Sequence, residues 1–166
     1  MSDLRTTTEI RNLGPCRINF GSRDMGFTQG GVSAKITTDW KDVTIDEYGV
    51  VPVDAIDRGT TIEVTVPLVQ ASLENYEYAL PTGKNSPLDR HTFGRQVGTS
   101  IPKYRLIIDP VGEEDGIVIY KAGIVDLDEL GYNIDGERVL GCHFKGFIDD
   151  TRTNGDKLFR IFGGMS

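Results

Sequence analysis

The chain has 166 residues, of which 38% are hydrophobic and 26% charged, a globular composition long enough for one domain with its own core. No apolar run approaches the ~20 residues of a membrane-spanning helix, no apolar signal core is visible at the start, and two cysteines, Cys16 and Cys142, are too few for a disulfide framework or a Cys-rich zinc site. The net charge of −7 argues against a generic nucleic-acid binder, which needs a basic face to displace counterions.

Residues 1–13 are polar and unpatterned and read as an N-terminal arm, ordered only if something docks on it. Residues 14–166 read as a single domain in which period-2 alternation dominates. Cys16, Ile18 and Phe20 alternate with Arg17 and Asn19; Val32, Ala34, Ile36, Thr38 and Trp40 alternate with polar neighbours. Between these runs, Gly26-Phe27-Thr28-Gln29-Gly30-Gly31 reads as a turn needing positive φ rather than a phosphate cradle, because a strand follows it and not a helix. Ile62, Val64, Val66 and Leu68 form a third run, Tyr104, Leu106 and Ile108 a fourth, and Leu140, Cys142, Phe144 and Ile148 a fifth. Gly116 to Ala122 and Lys157 to Phe162 are apolar on both faces, as in strands covered twice. The expected class is mainly β.

One stretch has a helical period. Val69, Leu73, Tyr76 and Leu80 recur at +4, +3 and +4, so the spacing predicts a short amphipathic helix lying on the sheet, stopped by Pro81-Thr82-Gly83. Two segments read as excursions: Asp46 to Gly59, which carries Val50, Val51, Val53 and Ile56, and Thr82 to Pro102. Loops of that length are uncommon unless they do something, and an exposed valine-rich loop is costly without a surface to cover it.

Charge is concentrated. Asp109 to Glu137 holds nine acids and one base, Lys121, a balance of −8, against 16 acids and 17 bases elsewhere. The segment reads either as a solvated face with acidic turns or as a surface that repels an anion. Asp126, Asp128, Gly131 and Glu137 match positions of a calcium loop, but Leu130 stands where an oxygen ligand belongs and the flanks read as strands; an acidic turn is the better reading. His143, on the polar side of its strand, has no visible catalytic partner; His91, in a loop beside Arg90 and Asp89, reads either as an acid–base group or as an ordinary loop histidine among charges, and no nucleophile elbow, Walker loop or zinc-protease motif is present. Cys142 shares the apolar face of Leu140 and Phe144 and is expected to be buried and inert, as is Cys16. The reading assigns no catalytic residue, no cofactor and no metal.

The order of these pieces resembles the tail tube (major tail) proteins of long-tailed bacteriophages, a fold shared with type VI secretion tube proteins. The resemblance runs from Gly14 to Phe162. It rests on the Gly-rich turn Asp24 to Val32, the segment Asp42-Val43-Thr44-Ile45-Asp46 with its long excursion, the strand from Gly59 feeding Leu73-Glu74-Asn75 and Ala79-Leu80-Pro81, and Phe144-Lys145-Gly146-Phe147-Ile148-Asp149-Asp150. The resemblance implies a β-sandwich or barrel with one packed helix. It implies a structural virion protein whose six copies close into a ring, with rings stacked into a tube for genome passage. The partners it implies are the chain itself, the tape measure, tail tip and terminator proteins, and DNA that passes without specific binding, in the virion tail and, during assembly, the host cytoplasm. No membrane insertion by this chain is expected. It places inter-ring contact on the excursion, at Val50, Val51, Pro52, Val53 and Asp54. Glu113, Glu114, Asp115, Asp126, Asp128 and Glu129 are the candidate acids of a non-adhesive bore. The rival readings are another ring-forming tail part such as a terminator, a type VI secretion tube protein, and a β-sandwich carbohydrate-binding module. The last would want exposed aromatics, whereas the single tryptophan, Trp40, alternates onto the apolar face.

Overall fold

A computed structural model describes residues 4–12, 15–69, 83–86, 90–93, 98, 100–112, 115–128 and 140–163. Its strands are β1 (Leu4–Asn12), β2 (Cys16–Phe20), β3 (Arg23–Phe27), β4 (Ser33–Thr44), β5 (Pro52–Leu68), β6 (Gly83–Ser86), β7 (Arg90–Phe93), β8 (Tyr104–Pro110), β9 (Gly116–Leu127), β10 (Leu140–Gly146) and β11 (Phe159–Phe162). The fold is mainly β, as the alternation predicts. The expected helix on Leu73, Tyr76 and Leu80 lies outside the described residues, as do Glu113, Glu114 and Glu129.

All strands but β6 and β7, which pair with each other, belong to one antiparallel sheet in the order β1-β4-β5-β10-β9-β8-β2-β3, with β11 added beside β9. The sheet curls so that alternate residues meet inside: Ile18, Phe20, Met25, Ile62, Leu106, Ile119 and Phe144 are all at most 1% exposed. Burial of this apolar face is the main stabilising term, at roughly 25 cal/mol per Å² removed from water. The curl brings the end of β3 back to β5, where Thr28 bridges Leu68 and the Gln29 amide donates to the Pro67 carbonyl at 3.0 Å. No further ladder joins these two edges among the described residues, so the sheet is open.

Strand β9 changes partner along its length. Residues from Ala122 onward pair with β10, whereas Gly116 to Ile119 pair with β11. Against β8, Leu106 pairs with Ile119 and Tyr104 with Ala122, so Arg105 alone stands opposite Tyr120 and Lys121. This bulge flips the alternation and keeps Ile119 and Ala122 both in the core.

Several expectations need correction. The N-terminal residues, read as an arm ordered only if something docks on it, find a partner in their own chain: Leu4–Asn12 pairs antiparallel with β4 from Ser33 to Lys41. Asp46 to Gly59 is not an irregular excursion, because β5 starts at Pro52 and its pairing with β4 runs from Ser33–Thr65 out to Thr44–Pro52. Removing Val50 to Val53 would therefore cut into β5. Asp24 to Val32, read as a Gly-rich turn, begins within a strand, Arg23–Phe27, although Gly26 and Gly30 do take the positive φ expected, at 92° and 84°. Ile148 lies beyond the end of β10 and is 60% exposed, and Trp40 is only half-buried.

Candidate functional site

The most unusual feature is the ribbon β1-β4-β5, which leaves the barrel-like body. Residues 52–59 of β5 are exposed on both faces. From Ile62 to Pro52 the strand covers about 33 Å at ~3.3 Å per residue. Two bulges punctuate it: Asp39 pairs with Gly59 and Trp40 with Asp57, leaving Arg58 extra, and Val43 pairs with Asp54 while Thr44 pairs with Pro52. At the first, Gly59 adopts a φ of 133°, a conformation that favours glycine, and its amide donates to the Asp57 carboxylate at 2.8 Å.

The ribbon ends in a 3-10 turn over Asp46–Tyr48, closed by Gly49 at a φ of 68°. Around it Ile45, Tyr48, Val50, Val51, Val53 and Ile56 are exposed, Val50 to 94%. Six large apolar side chains at the end of one protrusion form a patch that a lone soluble particle would leave wet. The residues assigned to inter-ring contact, Val50, Val51, Pro52, Val53 and Asp54, all sit here and all are exposed. From Thr44 to Asp57 the tip also carries Asp46, Glu47, Asp54 and Asp57, with two bases at its inner end, Lys41 opposite Ile56 and Arg58 next to Asp57.

Among the described residues, the candidate bore acids stand at two places. Asp115 precedes β9 and Asp126 and Asp128 stand at its other end, all exposed, about 36 Å apart along the strand at ~3.3 Å per residue. Asp126 and Asp128 are the only members of the calcium-loop match among the described residues; the Asp126 carboxylate accepts the Leu127 amide, and Asp128 is engaged elsewhere.

That engagement is the partner of His143 that sequence reading missed. His143 Nε2 lies 2.9 Å from Asp128 Oδ1, and its Nδ1 lies 3.2 Å from Thr65 Oγ1. Gly141 makes room: a Cβ there would collide with the Asp128 carboxylate. The signal was the pairing itself, since His143 is opposite Thr65 on β5 and Asp126 on β9. Thr65, Asp126 and His143 line a depression of about 270 Å³ with Lys35, Glu63 and Val125. The order hydroxyl, imidazole, carboxylate is that of a nucleophile, base and orienting acid. Thr65 is paired with Ser33 on one side and His143 on the other, so among the described residues the amides beside its hydroxyl belong to the sheet ladders. The arrangement positions an imidazole on a solvated face. His91 falls in β7, opposite Asn85.

Both cysteines are buried, as expected from their alternation, and neither is in a disulfide. Burial pushes the Cys142 thiol up to about 12, so it stays protonated and a poor nucleophile at neutral pH. No protein-family model matches this chain, and no curated protein is significantly similar to it.

Proposed function

We propose that the protein is a structural, self-assembling subunit without catalysis, of the tail-tube kind its sequence resembles, whose copies close into rings and stack into a channel. The observation that carries this reading is the apolar tip of the β4–β5 ribbon, which is held away from the body and has nothing of its own chain to cover it among the described residues. A second copy provides that cover. The open sheet supports the same reading, because β1 and the outer part of β5 present backbone edges that invite further strands. A head-to-tail contact with a closing rotation gives a ring rather than a fibre. A bore running parallel to β9 would carry Asp115 at one end and Asp126 and Asp128 at the other, and acids on the wall keep a duplex from sticking.

Sedimentation velocity with negative-stain microscopy tests the reading. Rings or tubes that form with rising concentration are expected, and Val50→Asp should abolish them while leaving the thermal midpoint unchanged. Protein that stays a single subunit at every concentration and salt, also with its virion partners present, defeats it.

A further inference from the structure

Resting on the reading of the ribbon as an assembly element, we propose that its tip docks on a basic outer face of the next copy, built where β8 and β9 meet the segment after β10. The β9 bulge creates this face. Ile119 and Ala122 both point into the core, so Lys121 is left outside, with Arg105 across from it on β8; both are exposed. Like charges opposite each other across a ladder repel, an arrangement that a bound anion relieves. The Lys103 ammonium lies 5.0 Å from the Phe147 ring centroid, and the Phe147 amide donates to the Lys121 carbonyl at 2.7 Å. This places an aromatic ring and the exposed Ile148 beside the bases. Arg160, exposed and opposite Val118, extends the face along β11.

Three carboxylates lie near this face. Asp156 accepts from the Tyr120 hydroxyl at 2.6 Å and from Arg152 at 2.7 Å, Asp150 lies 3.6 Å from the Lys157 ammonium, and Asp149 accepts from the Thr151 hydroxyl at 2.7 Å and feels the charge of Lys121. Six bases, Lys103, Arg105, Lys121, Arg152, Lys157 and Arg160, outnumber them, so the surface is basic and partly apolar on a chain whose net charge is −7. The ribbon tip is its complement: four acids, Asp46, Glu47, Asp54 and Asp57, outnumber the two bases at its inner end, Lys41 opposite Ile56 and Arg58 beside Asp57, and Tyr48, Val50 and Val51 are exposed. The two cannot meet within one copy. The base of the ribbon, Ile62, packs by Gly146 next to this face, and the paired strands hold the tip about 33 Å away. The contact is therefore head-to-tail between copies. A nucleic acid would match the bases but leave Phe147 and Ile148 without apolar cover, which favours the acidic, apolar tip as the occupant.

Charge reversal with rescue tests the docking. Arg105→Glu with Lys121→Glu, and separately Asp54→Lys with Asp57→Lys, should each weaken self-association at least about tenfold, and mixing the two variants should restore it. Position is checked independently of variant folding by mixing Val50→Cys protein with Ile148→Cys protein and adding a short bismaleimide, since both native thiols are buried; a heterodimer is expected. If the basic-face reversal leaves association intact while Val50→Asp abolishes it, or if only Val50→Cys pairs cross-link, the ribbon assembles but this receptor is wrong. If the face binds a duplex DNA fragment and its reversal abolishes only that, the proposal is likewise overturned. A wild-type chain that never associates removes the assembly reading and this inference together.

Discussion

The rings of Phe20 and Phe144 lie 5.1 Å apart, centroid to centroid, at 70° to each other, although their strands β2 and β10 are separated by β8 and β9 in the sheet. Only a sheet rolled onto itself brings such residues together. Tyr104 joins them, its ring 5.3 Å from that of Phe20 and perpendicular to it. Edge-on aromatic contacts of this kind add to the burial of the rings themselves.

Phe144→Ala should therefore cost about 3–5 kcal/mol, the range for emptying a fully buried aromatic site. Val50→Ala, at a residue 94% exposed, should be within about 0.5 kcal/mol of wild type. Urea unfolding of the dilute subunit measures both; a small loss at Phe144 would mean the sheet does not roll up as described.

Gly116 is expected to resist substitution. A Cβ there would meet the Phe162 ring and lie 2.7 Å from the Ile108 carbonyl oxygen. The ring can turn, but the carbonyl belongs to a paired strand and cannot. Gly116→Ala should destabilise by about 1–3 kcal/mol, whereas Gly31→Ala, with open space around its Cβ, should change little.

Acid should weaken the fold through named carboxyls. The Tyr120 hydroxyl and the Arg152 guanidinium hold the Asp156 carboxyl below its ordinary 3.8, and Arg17, with the Gly26 amide, does the same for Asp24. The unfolded chain then takes up these protons at higher pH than the native one. The stabilisation is complete above 3.8 and is lost as pH falls below it through the lower native values. Urea midpoints measured from about pH 5 to about pH 2 should fall, and Asp156→Asn with Asp24→Asn should flatten the slope. An unchanged slope would remove both pairs from the account.

Thiol chemistry should be silent in the native state. Cys16 and Cys142 are each 0% exposed, and the Cys142 thiol is pushed up to about 12. Neither should react with a thiol reagent at about pH 8 until denaturant is added, because only the thiolate attacks. Prompt labelling of native protein would contradict the burial.

What could be read in advance followed from one-sided burial. Cys16 to Phe20, Ile62 to Leu68 and Leu140 to Phe144 alternate because one face is wet and the other dry, and the pattern is legible in the letters. The ribbon lacked that contrast. Residues 52–59 are exposed on both faces, so no polarity alternates along them, and the run Thr6-Thr7-Thr8 signals a strand only through its β-branching. Arg23–Phe27 was hidden by a bulge: Ile18 pairs with Gly26 and Asn19 with Asp24, which turns Met25 into the core out of period. The link of His143 to Asp128 joins residues 15 apart in sequence and depends on register, which periodicity does not carry.

The ribbon and the core share one uninterrupted strand, β5, whose inner end is laddered to β10 from Glu63 to Leu68. Tension applied at Val50 therefore runs along that backbone and strains its cross-strand bonds sideways and simultaneously, instead of peeling them off singly. A filament made of such subunits would stretch as a unit before any one of them tore open, a mechanical property that pulling on a single assembled fibre would read directly.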